Sequence, residues 1–193
     1  MIASDDARFL LQHFLMYGVV PVWLLAGLAD WACHRVARIE RTSGVRETLL
    51  HLAQFTEVGI PMLAVLFLEV NAAVIAVMLV GVVLHQATAV WDVRYADRTR
   101  HIAPVEQHVH GVLEASPIVA VAIVAILHWP AFAGLIGIGG VPPDFALRLK
   151  PEPLPSGYLV AVLVGVVACG VVPFGEELVR TLRAAGGWRR KAL

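Results

Sequence analysis

Cysteine is nearly absent from this chain of 193 residues, which has only Cys33 and Cys169. The two stand far apart, each beside or within an apolar run, so they suggest neither a disulfide framework nor a CxxC zinc site. Net charge is missing too: 15 Lys and Arg balance 15 Asp and Glu. That balance removes the electrostatic argument for a nucleic-acid partner. Charged residues make up only 16% of the chain, against roughly 25% in an ordinary soluble domain. The first residues lack the basic region of a signal peptide and carry Asp5 and Asp6 instead. The first apolar run is therefore read as a retained span. There is no serine-hydrolase motif around Ser43 or Ser116, no repeat of whole spans and no low-complexity segment.

What fills the chain is apolar: 59% of residues are hydrophobic and the mean hydropathy is +0.75. This composition predicts an all-α, polytopic integral membrane helix bundle, one domain over residues 1–193. Five spans are expected, over residues 9–31, 47–70, 72–91, 112–138 and 158–174. Pro61 predicts a kink in the second. Asn71 marks a tight reversal, with Glu69 beside it as a second cap. Residues 139–157, rich in Pro and Gly, read as a loop.

An odd number of spans puts the termini on opposite sides. The connectors 33–46 and 92–103 then share one side with the C-terminal tail, and together they hold 12 of the 15 Lys and Arg. Arg8, Arg148 and Lys150 are left for the other. The positive-inside rule places the N-terminus outside and the C-terminus in the cytoplasm, in what reads as a bacterial inner (cell) membrane.

Histidines and acids fall on this topology unevenly. An acid-x-x-x-His step occurs three times, at Asp30/His34, Glu47/His51 and Glu106/His110. Each step places a carboxylate and an imidazole on one helix face, one turn apart. His85 and Asp92 form a seven-residue variant. Glu114 extends the ridge of Glu106 and His110 by a further turn if a helix begins at Pro104, a favoured first position. All these residues lie in the segments 30–51 and 85–114, at the cytoplasmic ends of the spans.

Four helices that each present an acid and a histidine suit a dinuclear metal site in a bundle. The mixed ligand set favours iron, with zinc or manganese as alternatives, over copper(I). Glu47, His51, His85, Asp92, Glu106 and His110 lead the ligand set. Asp30, His34 and Glu114 follow, as ligands or as partners that orient the imidazoles. His108 joins them if the segment is extended; on a helix it turns about 160° away from Glu106. Glu57, inside the second span where a charge is costly, is a protonated core group, a proton relay or an extra ligand. Glu57 and Glu114 are the candidates for catalytic proton transfer. A single interfacial histidine is ordinarily only a polar group at the membrane surface, and an acid-x-x-x-His pair can be a plain helix ion pair. It is the number at one level that points to a site.

The layout resembles the membrane-bound desaturases and hydroxylases, whose transmembrane hairpins present histidine clusters to a non-haem di-iron centre. The similarity covers spans one to four, about residues 9–129. The HxxxH and HxxHH boxes of that family are not present; His108-Val109-His110 is the nearest approach, and Asp30, Glu47, Asp92 and Glu106 stand where the family uses mostly histidine. The pairing of acid with histidine looks more like the ferritin-type di-iron bundles, which use Glu-x-x-His. The resemblance implies two metal ions, an electron donor, and hydroxylation or desaturation of a membrane lipid or other apolar molecule. A zinc-dependent hydrolase of a lipid amide, ester or glycoside is the alternative, and a metal-handling membrane protein a further one. Dense carboxylates argue against haem.

Overall fold

A computed structural model describes residues 4–191, with side chains described through residue 186. The basic side chains of Arg189, Arg190 and Lys191, read as part of the tail, lie outside that range. The chain is helical, with five helices long and apolar enough to cross a membrane. These are α1 (Asp5–Ala37), α2 (Gly44–Phe67), α3 (Ala72–Thr99), α4 (Pro104–Leu127) and α6 (Ser156–Gly186, whose backbone stays helical to Lys191). A short α5 (Trp129–Leu135) follows α4.

Two of the long helices start at a capping side chain. The Ser4 hydroxyl accepts the amide of Ala7, and Asp5 and Asp6 favour the positive end of the α1 dipole. Asn71 accepts the amides of Ala73 and Val74. Its own amide donates to the Ala146 carbonyl at 2.7 Å, tying the long loop to the α2–α3 reversal. Glu69 is not a cap; it pairs with Arg148. Pro104 opens α4 at its first turn. Within the loop, Leu68 and Leu149 form an isolated antiparallel bridge, the one β-pairing among the described residues.

The helices run further than the apolar spans. Residues 33–37 and 92–99, expected in connectors, are helical and extend α1 and α3. Neither stretch contains Pro or Gly to stop it. The run expected over 112–138 is broken at His128, where the backbone leaves the helical region. Pro130 follows two residues later and has no N–H for the Ile126 carbonyl, so the hydrogen-bond ladder of α4 cannot run on unbroken. The polar residues after Phe174 continue α6 instead of forming a separate short tail.

Packing closes the five long helices into a ring, in the order α1, α4, α3, α2, α6 and back to α1. Contact between α2 and α3 is closest at Gly81. A Cβ there would come within 2.5 Å of the Glu57 carbonyl and 2.6 Å of the Pro61 ring. Pro61 has no N–H to offer the Glu57 carbonyl, and Gly81 lets the next helix lie against it. The chain direction alternates, so Asp30, Glu47, Asp92, Glu106 and Glu177 reach the same end of the ring. Val70, Val74, Ile75, Met78 and Val124 form an apolar core at the other end.

Candidate metal centre

At the polar end of the ring five carboxylates are buried: Asp30, Glu47, Asp92, Glu106 and Glu177, none more than 3% exposed. His34 and His51 are buried among them, with rings stacked 4.2 Å apart and 9° from parallel. The α6 residue Glu177 bridges the two. Its Oε2 lies 2.9 Å from His34 Nδ1 and its Oε1 2.9 Å from His51 Nδ1. An ionised carboxylate can only accept, so each Nδ1 carries the proton and donates it to Glu177. In the neutral imidazoles the lone pair is thereby left on Nε2.

Both Nε2 atoms face further acids. His34 Nε2 is 3.4 Å from Asp30 Oδ1 and 3.5 Å from Glu106 Oε1. His51 Nε2 is 3.2 Å from Asp92 Oδ2 and 3.9 Å from Glu47 Oε1. His110 Nε2 approaches Asp30 Oδ1 to 2.9 Å. Two sets of donor atoms result, each within 4.8 Å of one another: Asp30, His34, Glu106 and His110 in one, His34, Glu47 and His51 in the other. Metal–ligand bonds of about 2.0–2.2 Å in a tetrahedral site separate the ligand atoms by about 3.4 Å. Most of these spacings are close to that.

Four atoms in this group are fully buried and make no well-aligned hydrogen bond: His34 Nε2, His51 Nε2, Asp30 Oδ1, which His110 Nε2 approaches out of line, and Asp92 Oδ1. Buried polar atoms are ordinarily satisfied, and each that is not costs about 1–3 kcal/mol. Asp30, His34 and His51 belong to the donor sets; Asp92 joins neither and stands beside His51.

Arg100 is the one guanidinium of the cluster. Its Nε donates to Glu47 at 3.1 and 3.2 Å, its Nη1 donates to Glu106 at 3.0 Å, and its Nη2 contacts both acids. Burial works to depress its pKa, and the hydrogen bonds to Glu106 and Glu47 outweigh this and raise it. Arg100 therefore stays charged. Five buried carboxylates against one guanidinium leave four negative charges to be met by imidazolium protons or by metal.

The remaining candidates fall apart from one another. Glu114 lines a small cavity together with Asp30, His51, Asp92 and His110. His108 is exposed and does not belong with the ligands: α4 begins at Pro104, and the helix turns His108 away from Glu106 and His110. His85 is buried with neither ring nitrogen hydrogen-bonded, yet it joins neither donor set. The seven residues that put it on the same face as Asp92 also put it about 10 Å along the axis. It lines a cavity of ≈ 50 Å³ with Gln54 and Leu113, whose carbonyl Pro117 leaves without a helical donor. Gln54 donates to Asp92 Oδ2 at 3.2 Å. Glu57 is remote from the donor sets and accepts from Thr88 at 2.8 Å.

Two members escaped the sequence reading. Glu177 stands in an Arg-rich stretch next to Glu176, which faces outward and accepts from Trp31 and Arg35. The available signal was its position, three residues beyond Phe174 at the level of the other acids. Arg100 sat among connector arginines that the charge bias already explained. The chain matches no protein-family model, no curated protein and no solved structure.

Proposed function

We propose that the protein is a membrane-embedded metalloenzyme with a dinuclear His/carboxylate centre that oxidises an apolar or lipid substrate. The observation that carries this reading is the set of four unsatisfied, buried donor atoms, His34 Nε2, His51 Nε2, Asp30 Oδ1 and Asp92 Oδ1. Charge supports it as well, since two divalent cations would neutralise the four uncompensated carboxylates. One metal would be held by Asp30, His34, Glu106 and His110. The second would be held by Glu47 and His51 beside the shared His34, with Asp92 3.2 Å from His51 Nε2 as a further donor. Glu177 fixes the tautomer of both imidazoles and aims Nε2 inward, as outer carboxylates do in metal sites.

Mixed imidazole and carboxylate donors suit iron or manganese, with zinc as the alternative. With iron bound, the centre would supply oxygen activation: one atom of dioxygen enters the substrate, the other leaves as water, and an external donor provides the electron pair. This chain's own part is to hold the donors, to exclude water, and to offer Glu114 beside the centre as a proton-handling group. The five apolar helices favour an integral membrane protein, which we place in a bacterial cell membrane, and the arginine bias favours a centre at the cytoplasmic face.

A second reading rests on Arg100. It donates to Glu47 and Glu106 at oxygens that would also ligate, so the cluster can instead be a metal-free ionic lock. Anaerobic purification followed by elemental analysis and Mössbauer spectroscopy separates the readings. Stoichiometric, redox-active iron supports the first. Zinc alone, active without oxygen, would make the protein a hydrolase, and no stoichiometric metal would leave the ionic lock.

A further inference from the structure

A well-formed apolar cavity lies away from the metal centre. It occupies ≈ 350 Å³ in the apolar half of the ring, within the size range of small-molecule sites. Its walls are mostly apolar, with Met16, Val19, Val65, Ala120 and Val124, and Glu57, whose Oε2 has no hydrogen-bond partner, interrupts them. Local irregularities in three helices shape it: a π-bulge at Leu15–Val19, and the prolines Pro61 and Pro117. Such bulges are frequent at functional sites.

The cavity is polar at the end away from the metal centre. Arg8, His128, Lys150 and Glu152 line it there. Arg8 is held by the Leu127 carbonyl at 3.0 Å, a neutral partner. The acid that faces Lys150 electrostatically is Glu69, and Glu69 is taken by Arg148 at 2.9 Å. Burial, then the neighbouring Lys150 and Arg8, depress His128 to about 4, so it is neutral at physiological pH. Neither Arg8 nor Lys150 forms an ion pair among the described residues, and the carboxylates that line the cavity with them are Glu152 and Glu57.

The far end of the cavity approaches the centre. Trp23 lines both this cavity and the smaller one, whose walls include Asp30 and His51.

We infer that the cavity binds a single-chain fatty carboxylate, its head between Arg8 and Lys150 and its chain end directed toward Trp23. At about 30 Å³ per water-sized group, the space suits a chain of about twelve carbons. Two cations that no carboxylate holds suit a carboxylate head, and with Glu152 and Glu57 in the same walls a monoanion is favoured over a dianionic phosphate. The role of this ligand as substrate rests on the function proposed above; its binding does not.

The test is equilibrium binding of radiolabelled laurate to the full chain in phosphatidylcholine nanodiscs, with dodecanol and dodecyl phosphate as competitors. Laurate is expected to bind stoichiometrically and dodecanol about tenfold more weakly, the loss of one charge-assisted contact. The double variant Arg8→Gln/Lys150→Gln should lose about tenfold for laurate and nothing for dodecanol. Ala120→Phe should block both by filling the cavity. Equal affinity for dodecanol and laurate, tighter binding of dodecyl phosphate, or an unchanged double variant would overturn the assignment. Metal content is measured on the same samples. Laurate bound without metal would leave this site standing and remove the proposed centre; metal without laurate would do the reverse.

Discussion

Replacing Glu177 discriminates sharply between a metal centre and an ionic lock. Its two oxygens each accept from one Nδ1 at 2.9 Å, and hydrogen bonds to a charged group are worth about 1.5–3 kcal/mol each. In a metal site, outer partners of this kind are worth about 10–100-fold in metal affinity. Glu177→Gln keeps one acceptor oxygen and can serve one imidazole, so the expected loss is about tenfold. Glu177→Ala serves neither, and the loss should reach about 100-fold. The assay is competitive metal titration against a chelator, paired with thermal unfolding in detergent. In an ionic lock the imidazolium protons of His34 and His51 meet the acids, so Glu177→Gln weakens two charge-assisted hydrogen bonds and lowers the unfolding temperature equally with and without added metal. Unchanged metal affinity in both variants would refute the metal-site reasoning.

Three other outcomes follow from the geometry. Arg100→Gln leaves Glu47 and Glu106 buried without their cation; breaking such a pair costs about 3–5 kcal/mol, and added divalent metal should restore much of it in thermal-unfolding assays. His110→Ala removes a donor of the first set and should lower bound metal, whereas His108→Ala, at an exposed position, should leave metal content unchanged in elemental analysis. His128 carries a pH signature. Its pKa is depressed from 6.5 to about 4, by burial first and then by Lys150 and Arg8. Between those values the unfolded chain binds the proton and the folded chain does not. Stability is therefore full above about pH 6.5 and falls as the pH drops toward 4, by up to about 2–3 kcal/mol after discounting for partial exposure. Denaturant unfolding across that window should show the slope, and His128→Asn should flatten it.

The two periodicities of the sequence carried different amounts of this structure. The apolar runs located the five long helices, because a stretch of about twenty apolar residues leaves the backbone little choice. They did not locate the helix ends. Residues 92–99 are polar and still helical, since helix formation needs no apolar side chains once a neighbouring turn exists. The acid-x-x-x-His steps identified Asp30, His34, Glu47, His51, Glu106 and His110 because a four-residue spacing is local and survives folding. Glu177 and Arg100 could not be read in this way, since their partners lie on other helices. Glu177 reaches His34 and His51 across 143 and 126 residues of chain. His85 shows the converse limit: a shared helix face with Asp92 is not a shared level.

The proposed centre stands or falls on metal stoichiometry in the wild-type protein and in Glu47→Ala, Asp92→Ala and His110→Ala, measured by elemental analysis after anaerobic purification. Two tightly bound ions per chain are expected in the wild type, with loss in each variant. Wild-type protein without stoichiometric metal, or full retention in all three variants, would contradict it.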